Sequence, residues 1–452
     1  MKSAAAKIVV IVVLAVALFV PVVMIQNLVA ERQQRRDEAV NGIAEGWGKR
    51  QRLSGPYVAL PYERTWTQVT QEVVDGKARE RRIERTESQV VHVPAENVTW
   101  IVSAEISEKA RGIYKARLFT AKLQAQGSIR IPPSAALEDG KSRYKWGTPR
   151  LVIGIGDPHG IRAADAASVG DKRYDFVPGT GEVALAGGLH ALLPGVQGAV
   201  VQTLPFSFSL ELGGSEAFAI SPLGADTSVS MRADWPHPSF QGRFLPARHA
   251  IAQDGFTAEW KVSRLAAQSP SQSGCPWPCG VAGEQIAVSF IEPASLYQQL
   301  ERTSKYGFLF IGLTFAAFLL LELLRRLALH PVQYTLVGLA LAIFFLLLVA
   351  LSEHIAFAAA YAIAATACVG LVSAYLMRAL RSVRLGLAFG AALSALYAML
   401  YALLKAEDYS LLGGSLLLFG LLAAVMFGTW GVDWYRLAEG IRGQSPNSPA
   451  RT

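Results

Sequence analysis

From residue 305 to residue 430 the chain is almost continuously apolar, and short polar clips divide the run at Arg325-Arg326, Ser352-Glu353-His354, Arg378 to Arg384 and Lys405-Ala406-Glu407-Asp408. A hydrocarbon core of roughly 30 Å takes about 20 apolar residues per helix, so this spacing predicts successive membrane spans. They fall at 306–324, 331–351, 355–377, 385–404 and 409–430, within a five-helix block over 306–430 that is followed by a polar tail, 431–452. Gly386, Gly390 and Ser394 recur at the four-residue interval that lets helix backbones approach, and Tyr397 and Tyr401 continue the stripe, so the spans are expected to pack as a bundle.

A further apolar stretch, residues 8–29, follows Lys2 and Lys7. A secretory signal has an apolar region of about 7–15 residues and a small-x-small cleavage site. This stretch is longer, and Met24-Ile25-Gln26-Asn27-Leu28 makes a poor cleavage site, so it reads as an uncleaved signal anchor. In residues 30–54 the pattern becomes polar, with Ala39, Ile43 and Trp47 at i, i+4 and i+8, which predicts an amphipathic linker helix. Gly46, Gly48 and Gly55-Pro56 end it.

Over residues 55–292 the period changes to two. Val98, Trp100, Val102, Ala104 and Ile106 alternate with Thr99, Ile101, Ser103 and Glu105, and Phe206, Phe208, Leu210 and Leu212 repeat the pattern. Asp75-Gly76 marks a two-residue hairpin whose flanking strands are polar on both faces, so it is expected at an edge or projecting into water. Recurrent Pro/Gly punctuation between short strands predicts a large antiparallel, sandwich-like β domain. The expected fold class is an α+β membrane protein with an N-terminal anchor helix, a β domain and a C-terminal bundle of five transmembrane helices.

With 52% hydrophobic residues in 452, the chain is too apolar for an ordinary soluble protein. The net charge of +8 follows from basic residues flanking the apolar segments, which removes the case for nucleic-acid binding. Arg325-Arg326, then Arg378, Arg381 and Arg384, then Arg436 and Arg442 fall in alternate connections; the others hold Ser352-Glu353-His354 and Lys405 to Asp408. Positive loops belong in the cytoplasm, so both termini are expected inside, with residues 30–305 outside, in the periplasm of a bacterium.

Candidate chemistry is sparse. Glu353-His354 and Glu407-Asp408-Tyr409 sit at the outer ends of spans. They are read either as interfacial caps, with Ser352 or Asp408 capping the following helix, or as a site that couples protons or ions. Gly154-Ile155-Gly156-Asp157-Pro158-His159-Gly160 has glycine-loop composition without a following helix, and Pro158 breaks one, so it reads as a β-turn. Cys275 and Cys279 form a tight pair suited to a local disulfide in an oxidising compartment, while a metal site needs two further ligands. His159, His190, His237 and His249 lack metal spacing, and no nucleophile elbow or Walker loop occurs, so no catalytic residue and no cofactor is expected.

A series of motifs runs in order along the chain: Glu31 to Val40, Trp47-Gly48, Gly55-Pro56, Leu60-Pro61-Tyr62, Arg111 to Tyr114, Asp234 to Phe240, Leu245-Pro246 and Glu292-Pro293 with Tyr297. Further along come His330 to Tyr334, Leu351 to Ile355, Glu407-Asp408-Tyr409 with Gly414 to Phe419, and Asp433-Trp434-Tyr435. Together these segments resemble the CreD family of bacterial inner-membrane proteins. Cys275 and Cys279 stand outside the pattern. The resemblance implies an envelope-integrity protein of Gram-negative bacteria, in a regulon switched by a sensor kinase and response regulator, affecting tolerance to colicins and envelope-directed antibiotics. It implies no catalytic residues. Three functions are therefore weighed: a non-enzymatic protein whose β domain binds or braces another envelope protein or lipid, a transporter or lipid-handling protein with an acidic site at Glu353, His354, Glu407 and Asp408, and a periplasmic enzyme acting on wall or lipid, for which the sequence offers no site geometry. In each the lipid bilayer is a partner.

Overall fold

Period-two burial builds two sheets. The computed structural model describes residues 13–14, 16–74, 77–182, 185, 187–196, 201–263, 265–266, 285–290, 296–325, 330–405 and 410–429. The chain divides into two units, one of residues 37–293 and one of residues 1–36 with 294–452. Strands are numbered in chain order. Across the first sheet run β10 (Phe176–Pro178), β11 (Gly188–Leu192), β6 (Arg150–Ile155), β1 (Gln51–Val74), β13 (Ala217–Ser221), β18 (Ile286–Phe290) and β15 (Pro238–Gly242). β2 (Lys77–Pro94) and β5 (Arg143–Trp146) also pair with β1. Across the second run β16 (Arg248–Ala252), β17 (Gly255–Val262), β14 (Asp226–Ala233), β3 (Asn97–Arg111), β4 (Tyr114–Ile131), β12 (Gln202–Ser215), β8 (Ala167–Val169) and β9 (Lys172–Tyr174), with β7 (Ile161–Ala164) on β12.

The two sheets share one apolar core. Val98, Trp100, Val102 and Ala104 from β3 and Phe206, Phe208, Leu210 and Leu212 from β12 are buried in it with Leu53, Val58 and Leu60 from β1. Edge-on rings lock the faces together: Phe119 of β4 lies 6.0 Å from Phe218 of β13, and Trp260 of β17 lies 5.8 Å from Phe240 of β15. The expected all-antiparallel sandwich is corrected in one respect. β1 pairs with β13, and β3 with β14, in parallel, so both sheets are mixed. Each parallel pair joins segments more than a hundred residues apart, and a long connection lets the chain return in the same direction without any local turn signal.

The hairpin pairs from Tyr57↔Pro94 out to Val74↔Lys77, across residues 75–76, which lie outside the described residues. β5 accompanies it only over Tyr62 to Thr65, so the outer part is a two-stranded ribbon whose strands hydrogen-bond to each other. Its charged, exposed residues suit two free edges.

Helix α1 (Phe19–Trp47) contains the boundary between the units and ends in a joint built on glycines. Within the β unit its buried face is Val40 and Ala44, one register from the expected Ala39, with Ile43 and Trp47 beside them against Ala116 and Leu118. The Trp47 indole donates to Phe119 O at 3.3 Å and lies between two cations, Lys109 Nζ at 4.1 Å and Arg162 Cζ at 4.3 Å from the ring centre. Gly48 follows at φ +131°, where a Cβ would stand 2.5 Å from Gly213 O. The Gln51 side chain, 2% exposed, then donates to Asp157 O (3.0 Å) and Gly213 O (2.9 Å). Gly160 lies so close to this amide that a Cβ would meet it at 2.2 Å. The glycine-rich segment is thus the end of β6 and a short 3₁₀ turn, Pro158–Gly160, capped by Asp157, and its Gly160 admits Gln51.

In the other unit, Val22, Ile25 and Val29 of α1 form a buried seam that Leu18, just before the helix, continues. Helices α2 (Leu296–Arg325), α3 (Pro331–Ser352), α4 (Phe357–Ala379), α5 (Val383–Lys405) and α6 (Ser410–Thr429) fall at the five expected places. Among the described residues, α3, α4 and α5 are long and apolar enough to cross a membrane. Glycine notches admit neighbours: Gly307 of α2 faces Val22, and Gly338 of α3 faces Leu18, where a Cβ would come within 2.0 Å of the leucine. Gly386 and Gly390 of α5 pack on Met377 and Ser373 of α4, while Ser394 is exposed, so two of the three small residues make the close contact.

Gly390→Leu would drive a side chain into Ser373, whose Oγ lies 2.2 Å from the Cβ position. It is expected to cost roughly 1–3 kcal/mol, seen as a lowered melting temperature of the purified chain in detergent. Burial would raise the Asp157 carboxyl, but hydrogen bonds from the Lys49 and His159 amides and from the His159 ring outweigh it and hold it below the usual carboxylate value. A depressed acid stabilises the fold above its unfolded pKa of about 3.9, and that contribution is lost as pH falls below it. Asp157→Asn is therefore expected to lower stability at neutral pH and to flatten the acid limb of a melting-temperature profile from pH 7 to pH 3.

Candidate functional site

Each end of a membrane helix leaves backbone groups to satisfy, and the α3–α4 connection shows how its polar residues are used. The amides of His354 and Ile355 both donate to Leu351 O at 3.0 Å, closing the turn. Ser352 is 5% exposed and donates to Val349 O at 3.0 Å, so it finishes α3, and Ala356 takes the N-cap position of α4 without a side-chain hydrogen bond. The expectation that Ser352 caps the following helix is thereby corrected. Glu353, the C-cap of α3, turns inward with its side chain 10% exposed. Its Oε1 lies 3.5 Å from Arg32 Nη1, on α1. His354 is exposed. Glu353 and His354 are adjacent in sequence but differ in role: one pairs by charge with α1, the other is exposed.

Glu407, Asp408 and Tyr409 lie outside the described residues, as do Cys275 and Cys279. The structure therefore brings together Glu353 and Arg32, a residue 321 positions away that sequence reading treated only as a flanking charge.

The interior of the helical unit is filled by rings. Tyr397 of α5 is 2% exposed, 4.6 Å from Phe310 of α2 and 4.5 Å from Phe344 of α3, and Phe318 lies 4.4 Å from Phe389. A chain of hydrogen bonds threads these rings: Tyr361 Oη donates to Tyr397 O (2.8 Å), Tyr397 Oη to Cys368 Sγ (3.3 Å), and Cys368 Sγ to Ala340 O (3.4 Å). Polar groups satisfied this way join helices α3, α4 and α5 in a lipid setting. The Tyr397 side of the stripe thus faces protein, and Tyr401 continues it 5.2 Å from Tyr361. Cys368 lies in packing, with its thiol engaged on both sides.

The β unit holds one pair that sequence reading passed over. His92 Nε2 stands 2.8 Å from Glu182 Oε2, with side chains 15% and 9% exposed, and the Tyr57 ring lies edge-on to the imidazole at 5.5 Å. The pair fastens the segment before β11 across β2. The signal that finds it is pairing of segments 90 residues apart, which no local motif carries. Among the described residues no group of three or more His, Cys, Asp or Glu is placed to hold a metal ion.

Comparison with known proteins supplies the identity. The M1 zinc metallopeptidase of Deinococcus radiodurans aligns at a TM-score of 0.21 and 10% identity, over 37% of this chain and 38% of that one. A mutant of the same enzyme bound to a Tyr-ser-ala substrate gives 0.22 and 11%, over 47% and 53%. Likeness at that level carries no argument about fold or chemistry. By contrast, inner membrane protein CreD of Escherichia coli (strain K12) is 31% identical over 422 residues, covering 92% of this chain and 91% of that protein. The family model described as inner membrane protein CreD matches residues 3–435. The chain belongs to the CreD family of inner membrane proteins.

Proposed function

We propose that this chain supports cell-envelope integrity as a non-enzymatic, multi-pass protein of the bacterial inner membrane, its β domain serving as a binding or bracing surface in the periplasm. The N-terminal anchor and five C-terminal spans cross the bilayer, both termini lie in the cytoplasm, and residues 30–305 lie outside. The alternating arginine-rich connections support this direction. The observation that carries the anchoring role is the ring-filled interior around Tyr397, with Glu353 committed to Arg32. A transport path would need polar groups lining a way through, and Glu353, the described acidic member of that set, serves as a clasp.

Charge reversal separates the two roles. Arg32→Glu and Glu353→Arg alone are each expected to cost roughly 1–2 kcal/mol, since each leaves like charges together in a half-buried place. The double reversal restores the ion pair. In a host lacking its own CreD-family protein, the full chain is expected to restore resistance to leakage of a periplasmic enzyme, and the double reversal to do so equally. Restored stability without restored envelope function would mean that the carboxylate at 353 acts chemically, and would favour the transport reading.

A further inference from the structure

Register in the second sheet assembles a row of side chains that no stretch of sequence contains. Ser228 of β14 pairs with Thr99 of β3, Thr99 with Gln126 of β4, Gln126 with Ser207 of β12, and Ser207 with Ser168 of β8. These five lie on the face away from the core, since their neighbours Val229, Trp100, Ala125, Phe206 and Val169 are buried in it. All five are uncharged hydrogen-bonding residues. Charge returns only at the ends, where Lys261 of β17 pairs with Ser228 and Arg173 of β9 with Ser168. The adjacent row, Ser230, Ile101, Gln124 and Ser209, is neutral as well. The row after it, Arg232, Ser103, Lys122 and Glu211, is charged again.

This neutral field is concave. Hollows of about 450 Å³ and 490 Å³ open on it and share Gln126, Ser168 and Ser207, and Asp165 and Arg173 line one end of the first. Each is within the size range of ligand pockets. A sheet face kept merely soluble carries Lys and Glu, as the neighbouring row does. Here hydroxyls and amides offer both donors and acceptors, at about 4.8 Å from strand to strand. That complements a ligand which itself offers both senses and no charge. A phosphorylated headgroup or a strongly charged peptide would lose hydration along the five neutral positions and find opposite charge only at the row's ends. The strand spacing is also close to the rise per ring of an extended β-linked sugar chain. Ile101, 47% exposed between Gln124 and Ser230, gives an apolar spot in the field on which a methyl group could rest.

We propose that this face binds an uncharged, extended oligosaccharide bearing N-acetyl groups, laid across the strands with its hydroxyls and amides on Thr99, Gln126 and Ser207 and an acetyl methyl on Ile101. The proposal rests on the reading of the β domain as a binding surface and names its ligand class. The test is calorimetric titration of the full chain in lipid nanodiscs with chitotetraose, and with cellotetraose, which has the same linkage and no acetamido group. Saturable binding of chitotetraose, at least fivefold tighter than cellotetraose, is expected. Gln126→Leu should weaken it about tenfold with an unchanged melting temperature, and Ser207→Val serves as a second variant if the first fails to fold. Ile101→Ser should erase the preference between the two sugars. Absence of saturable binding, or binding indifferent to both Gln126→Leu and Ser207→Val, would overturn the proposal, as would tighter binding of phosphatidylglycerol vesicles lost on the same substitutions. Sugar binding in vitro and rescue of leakage in cells are separate readouts, so failure of this site is visible apart from failure of the envelope role.

Discussion

A buried amide group placed without partners costs a domain about 1–3 kcal/mol for each unsatisfied polar atom, and Gln51 shows how that constraint organises the β unit. Its two donor bonds reach the turn after β6 and the backbone of β12, so one side chain ties the first sheet to the second where β1 begins. The approach is possible because Gly160 and Gly214 leave room where a Cβ would meet the Gln51 side chain at 2.2 Å and 2.8 Å. From that fixed start β1 pairs with β2, β5, β6 and β13 in turn. Strand order in the first sheet therefore follows from where β1 is held, and the glycine-rich segment that resembles a ligand loop in composition is consumed by this structural task.

The helical unit meets a different constraint, because lipid tails are as apolar as leucine and give helices little reason to associate through greasiness alone. Association comes instead from shape and from satisfied polar groups. Notches at Gly307, Gly338, Gly386 and Gly390 allow close approach. The tyrosine and cysteine chain adds hydrogen bonds between α3, α4 and α5, and Arg32 with Glu353 adds an ion pair to α1. A bundle assembled this way is suited to holding position, and the functional reading as an anchored envelope protein grows from that.

Legibility in the sequence follows how local each interaction is. The alternation at Val98 to Ala104 and at Phe206 to Leu212 reports burial directly, because side-chain period and strand geometry are the same fact. The hairpin was visible in two residues, and the five C-terminal helices in the length of their apolar runs. The parallel pairs β1–β13 and β3–β14 were hidden, since a long connection leaves no turn signature. The face of α1 shifted from Ala39 to Val40 because Trp47, fixed between Lys109 and Arg162, sets the rotation. Arg32 and Glu353 were both legible as charges flanking apolar runs, but not as partners. The neutral row from Ser228 to Ser168 is a product of register across five strands, and any single strand shows only an ordinary polar residue.

The proposed topology anchors the chain in the membrane and puts its β domain outside the cytoplasm. The most direct measurement is thiol labelling of intact cells, after the native cysteines are replaced, with one cysteine introduced at Thr86 on the exposed ribbon and, in a second chain, one at Arg381 between α4 and α5. A membrane-impermeant maleimide is predicted to label position 86 in intact cells and position 381 only after permeabilisation. Labelling of position 381 in intact cells, with position 86 protected until permeabilisation, would contradict it.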